Sequence, residues 1–213
     1  MFIPISLVLL LSLVAGNAFP TVNLPDWLLP MTETIQRALN QFNQSNNESL
    51  KDHSKALLKL SQETHGEVKL LENGNLMFIK AIKSQLENKY QNQEELNKLI
   101  DSHIQVYREK ASNIFYSMNA VQGWLNRRLI DLNTMTSNET TQEETIKTKE
   151  LIDLVDNVVD NIHILSEQVV NESNNVKESK ENSFKKLKNY LNDNSLSTET
   201  EKLVSVVERI DFL

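Results

Sequence analysis

The sequence predicts an all-α protein, an elongated antiparallel helical bundle or coiled-coil hairpin of three to five helices. Three observations carry this reading. Counting from Ile100, apolar residues recur in alternating steps of four and three at Ile104, Tyr107, Ala111, Ile114, Met118, Val121 and Leu125, then at Leu132 and Met135, with Arg128 the only charged interruption. A stripe of that period is a heptad seam, and it needs helix partners. All four prolines precede Met31 and only Gly66, Gly74 and Gly123 follow, so helix breakers nearly vanish after residue 30. Alternating runs of β-branched and aromatic residues bounded by turn dipeptides do not occur, which removes the strand signal. Hydrophobic residues make up 39% and charged residues 24% of the 213, a balance that can fill a core.

Residues 1–18 read as a secretory signal peptide. Ile5 to Val14 is an uncharged apolar run, and Gly16-Asn17-Ala18 places small residues just before Phe19. The run falls short of the roughly 20 apolar residues that span a bilayer, and no later stretch approaches that length. The expectation is a secreted, extracellular product without a transmembrane anchor. Cysteine is absent, so helix packing must hold the fold in a compartment that would permit disulfides. Residues 19–30 hold Pro20, Pro25 and Pro30, too closely spaced for regular helix, and are expected to form an extended leader. Its Trp27, Leu28 and Leu29 want cover, from the first helix or from a partner. A single helical, coiled-coil-like domain then fills 31–213.

Within that domain, Ile35, Ala38, Leu39 and Phe42 share one face of a first helix over about Thr32 to Phe42. Ser45-x-x-Glu48 is a capping box that opens a second helix, whose face is Leu50, Leu57, Leu60, Val68 and Leu71. Gly74 is either its stop, in a left-handed cap, or a weak point that packing overrides. A third tract spans Leu76 to Met135. Its seam extrapolates backward onto Leu76, Ile79, Leu86 and Tyr90, and the thin stretch between Leu86 and Leu96 is expected to break or to pack through Ile82, Leu96 and Leu99. Asn133 to Thr141 is a polar connector closed by a second capping box, Thr141-x-x-Glu144, and so short a link makes antiparallel neighbours. The fourth tract carries Leu151, Val155, Val158, Ile162, Leu165, Val169 and Val176. Its stripe shifts to Phe184, Leu187 and Leu191 before Asn192-Asp193-Asn194 ends it. Thr198-x-x-Glu201 opens a short terminal helix with Leu203, Val207 and Ile210 inward.

No constellation names a reaction. His53 and His65 on the second helix, His103 on the third tract and His163 on the fourth show no metal-ligand spacing and read as surface residues. No catalytic, cofactor-binding or metal-ligating residue is assigned, and the chain is read as non-enzymatic. A cysteine nucleophile is ruled out by composition, and glycine-rich phosphate loops need glycines that the chain lacks. Arg127-Arg128 has the form of a dibasic processing site, but inside a heptad it reads as solvated helix surface. A net charge of -7 without clustered basic residues argues against nucleic acid.

Four sequons, at Asn138, Asn47, Asn43 and Asn171, are candidate glycosylation sites. Asn138 falls in the third-to-fourth connector, Asn43 and Asn47 at the first junction, and Asn171 off the seam. None would bury a sugar. The expectation is a secreted helical interaction or structural protein acting through coiled-coil-type surfaces on a protein partner or on itself. The fourth tract alternates β-branched and leucine or valine positions in a way that tolerates a two-stranded parallel coil. The alternative is an extracellular carrier of lipid or another apolar ligand, whose amphipathic helices would exchange helix contact for lipid contact.

Overall fold

The structure, a computed structural model, describes residues 29–45, 50–87, 92–135, 139–178 and 180–210. The chain divides into two units, Met1–Pro30 and Met31–Leu213. The proposed signal peptide and most of the leader lie outside the described residues, as do Asn47 and Asn138. All regular structure described is helical: α1 Leu29–Ser45, α2 Leu50–Glu87, α3 Gln93–Thr134, α4 Glu139–Glu178, α5 Lys180–Leu191 and α6 Ser195–Val207. The expected all-α antiparallel bundle is therefore the observed fold. At 1.5 Å per residue, the 42 residues of α3 rise about 63 Å.

Side-chain pairs fix the direction of each helix against its neighbour. Trp124 stacks on His53 at 3.9 Å and His103 on Phe78 at 3.6 Å, with Lys110 bonded to Glu67 between them, so α3 runs antiparallel to α2. Arg128 pairs with Glu144, Gln122 with Asp156 and Lys177 with Asp101, which sets α4 antiparallel to α3. After Glu178 the chain reverses: Lys186 lies 3.8 Å from Glu172, and Asn161 donates to Glu199 at 2.6 Å. α5 and α6 thus form a fourth, interrupted layer descending α4. Thr200 meets His65, and Glu208 meets Gln62, so α6 also runs antiparallel to α2. The outcome is an up-down-up-down bundle.

The heptad residues are the ones buried. Ile100, Ile114, Met118, Val121 and Leu125 are fully enclosed, as are Leu151, Val155, Val158 and Val169 opposite them. One cluster runs from Ala38, Leu39 and Phe42 of α1 to Leu203 and Val207 of α6. Each enclosed aliphatic side chain contributes about 1.5–3 kcal/mol from removal of apolar area from water. The fourth-tract seam, a candidate for self-association, is thereby used within the chain.

Several boundaries differ from expectation. α1 begins at Leu29 and includes Pro30, because the first turn has no hydrogen bond for a proline to remove. Gly74 does not stop α2, which runs on to Glu87; the buried neighbours Leu71, Asn75, Phe78, Ile79 and Ile82 hold the helix together through it. Leu76 is exposed, so the backward extrapolation of the α3 seam fails there, and α2 buries Phe78 and Ile82 instead. The tract expected over Leu76 to Met135 is shared between two helices, one ending at Glu87 and one starting at Gln93, and the second is capped by Asn92, whose side chain accepts from the Glu94 and Glu95 amides. α4 starts at Glu139, so Thr141 lies inside the helix and Glu144 serves Arg128 rather than a cap. Thr198 lies inside α6, where its hydroxyl donates to the Asn194 carbonyl. Asp193 accepts from the Ser195 amide. Met135 ends outside the core at 49% exposure.

Candidate functional site

The chemically distinctive residues fall into two sets, one inside the bundle and one on its outer faces. Inside, Lys110 and Glu67 form an ion pair at 2.8 Å with both side chains nearly closed off from water. Such a pair offsets the desolvation of its members rather than adding much stability, and loss of either partner leaves a buried charge costing about 3–5 kcal/mol. Arg128 makes a second buried pair, Nη2 at 2.6 Å and Nε at 2.8 Å from the same Glu144 oxygen. It is therefore not the solvated residue expected from the dibasic motif.

Two of the four histidines are also inside and a third is half-buried, against the expectation of surface residues. The His53 ring is buried, stacked on Trp124 and edge-on to Phe42 at 4.7 Å. This set joins the ends of α1, α2 and α3. His103 lies flat on Phe78 beside Tyr107, and burial pushes its pKa down to about 3. Burial likewise raises the Tyr107 hydroxyl above its ordinary range, with help from the Asp193 charge. His65 is half-buried, its Nδ1 at 2.9 Å from the Thr200 hydroxyl, and is held below the usual imidazole range by burial and then by Lys69, against the opposing pull of Glu201. Glu72 is raised by burial, although Lys69 and a hydrogen bond from Ser197 oppose the shift. His163 alone is exposed.

This interior arrangement is suited to positioning helices. Its groups are spread along the bundle, paired with one another or stacked on aromatic rings. Among the described residues no group of three or more His, Asp or Glu side chains is arranged to hold a metal ion. The hydroxyls of Thr64, Ser117, Thr148 and Ser173 are buried without a hydrogen-bond partner, while Ser61 and Thr200 bond back to the carbonyl four residues earlier.

The outer faces carry the second set. Leu70, Leu76 and Met77 project from α2, Ile164 from α4, and Ile130, Met135 and Ile146 from the end where α3 meets α4. A cleft of about 410 Å³ at that end is walled by Leu132, Met135, Thr145 and Ile146. A second, of about 440 Å³, lies against Lys80, Lys83, Ser84 and Glu87 of α2. Among the sequons, Asn43 and Asn171 are exposed. No described helix is long and apolar enough to cross a membrane.

Sequence reasoning found the seams and missed the interior polar pairs. The signal it lacked was spatial: Glu67 and Lys110 lie 43 residues apart and meet only because α2 and α3 fold back on each other. No family model, no curated protein and no solved structure matches this chain.

Proposed function

We propose that the chain is a secreted, non-enzymatic helical interaction protein that works through its outer helix faces. The observation that carries this reading is the division just described. The buried titratable and aromatic groups are consumed as ion pairs and stacks, whereas large apolar side chains, led by Met77 at 73% exposure, stand uncovered on the outside. Uncovered apolar residues on a helix face suit docking of another helix. Export is supported by the apolar run Ile5 to Val14 with Gly16-Asn17-Ala18 after it, and glycosylation at Asn43 and Asn171 by their exposure.

Native mass spectrometry of the protein recovered from culture medium tests the proposal in one measurement. The expected species begins at or next to Phe19 and carries glycan but no lipid. A product retaining Met1 would overturn cleavage of a signal peptide before Phe19. Stoichiometric lipid travelling with the chain would replace the interaction reading with that of an apolar-ligand carrier.

A further inference from the structure

Of the glycines in this chain, only Gly74 follows an asparagine. An asparagine so placed carries both reactants of a ring closure. Its side-chain carbonyl carbon, Cγ, is the electrophile and the next backbone nitrogen the nucleophile, and glycine has no side chain to crowd the approach. Asn73 and Gly74 are both exposed, and a Cβ placed on Gly74 would meet nothing within 4 Å. The pair sits inside α2, Leu50–Glu87. There the Gly74 amide proton is given to the Leu70 carbonyl, and a helical ψ of about −42° turns the nitrogen away from Cγ. The helix therefore stands between the pair and its chemistry, and the strength of this one turn decides how often the ring can close.

That turn is poorly secured. Asparagine and glycine are weak helix formers, and Asn73, Gly74 and Asn75 follow one another. Asn75 is buried, and its Oδ1 has no hydrogen-bond partner among the described residues. On the same turn the Glu72 Oε1 is likewise enclosed without a partner. Both oxygens gain water when the turn unwinds, so opening relieves a cost that the closed helix bears. Leu71 on one side and Phe78 on the other are buried and draw the helix shut again. Opening is thus local and transient.

We infer that Asn73-Gly74 is a site of spontaneous covalent modification, at which the turn 72–75 of α2 sets the rate and α2 is broken by the product. The Gly74 nitrogen bonds to Asn73 Cγ, the Cγ–Nδ2 bond breaks, and Nδ2 leaves as ammonia with the proton that Gly74 gives up. Water then opens the cyclic imide and is the only co-reactant. Addition at Cγ gives aspartate on an unaltered backbone. Addition at the main-chain carbonyl carbon gives isoaspartate, whose chain runs through Cβ and Cγ and is longer by a methylene. Leu71 before that insertion and Phe78 and Ile82 after it then no longer share one face, and the stack of Phe78 on His103 is lost. Either product also sets a carboxylate between Leu70 and Met77, the exposed apolar residues three before and four after it.

Peptide mapping of the full chain, held in warm neutral buffer with and without denaturing urea, tests this. Trypsin cuts after Lys69 and Lys80 and releases the pair within Leu70–Lys80. Tandem mass spectrometry is expected to place a gain of about 1 Da on Asn73, carried by two separable peptides of equal mass, aspartyl and isoaspartyl. Urea should speed the gain by about tenfold or more, because it removes the helix. Asn75→Leu deletes the unpartnered oxygen and should slow the gain by about fivefold in buffer while leaving the rate in urea unchanged. The comparison of wild type in buffer and in urea needs no variant, so it decides the point even where Asn75→Leu does not fold. In hydrogen exchange the isoaspartyl form should lose amide protection over residues 74–78 that the aspartyl form keeps. No gain in buffer, equal rates in buffer and urea, a gain on Asn75 rather than Asn73, no slowing by a folded Asn75→Leu, or full protection in the isoaspartyl form would each overturn the inference.

Discussion

Burial keeps the His103 imidazole neutral to about pH 3, whereas the unfolded chain takes up that proton near pH 6.5. Between those values the unfolded state binds more protons, so the residue's contribution is complete above pH 6.5. It is lost as pH falls, at about 1.4 kcal/mol per pH unit. His65 acts in the same direction, and Glu72, whose folded pKa is raised, opposes both. The melting temperature is expected to drop between pH 7 and pH 4. His103→Phe, which keeps a ring against Phe78, should remove much of that drop in melts followed by circular dichroism; an unchanged pH profile would place the acid sensitivity elsewhere. At this scale the sequence was least legible. A histidine beside the seam residue Ile104 gives no sign that Phe78 of another helix lies flat against it, and Arg128 gives none that Glu144 waits across the hairpin. Such partners are set by which helices become neighbours, and a local pattern does not encode that.

Elements were far more legible, because burial of one face imposes a period that the sequence must display. Every apolar seam position of α3 from Ile100 to Leu132 is buried. Stops were harder to read. Gly74 could be read as a stop or as a weak point that packing overrides, and it is the second, whereas the reversal between α4 and α5 carries no proline or glycine and left only the shifted stripe from Val176 to Phe184 as its trace. The reason is energetic: one glycine costs a helix about 1 kcal/mol, less than a single buried leucine returns. Gly74 is exposed, with open space where a Cβ would stand, so Gly74→Ala should stabilise the protein by about 0.5–1 kcal/mol, read as a raised urea midpoint at unchanged slope. A loss of stability would mean that the helix is strained there.

At the scale of the whole bundle, the layers are not held alike. α3 and α4 meet through a long aliphatic seam, whereas α6 is short and buries only Leu196, Leu203 and Val207 beside its polar contacts, Asn161 to Glu199, His65 to Thr200 and Gln62 to Glu208. Local opening should follow that difference. Amide hydrogen exchange is expected to proceed faster in Ser195–Val207 than in the middle of α3, and equal protection would show that the bundle opens only as one unit. The antiparallel α3–α4 pair was legible from the shortness of its polar connector. The fourth layer was not, since nothing local tells α6 to return to α2.

That return also orders events in time. α3 and α4 are joined by the four residues 135–138, whereas α2 and α6 are separated by the whole of 88–194. Closing the longer loop costs about 3 kcal/mol more chain entropy if nothing has formed between its ends. Once the intervening helices have zipped together, most of that cost has already been met. The α3–α4 hairpin is then the natural nucleus, and docking of α6 onto α2 the closing step. During synthesis, in which α6 emerges long after α2, the groove it fills would stay open until α6 leaves the ribosome, so this stretch is where a chaperone would find the nascent chain.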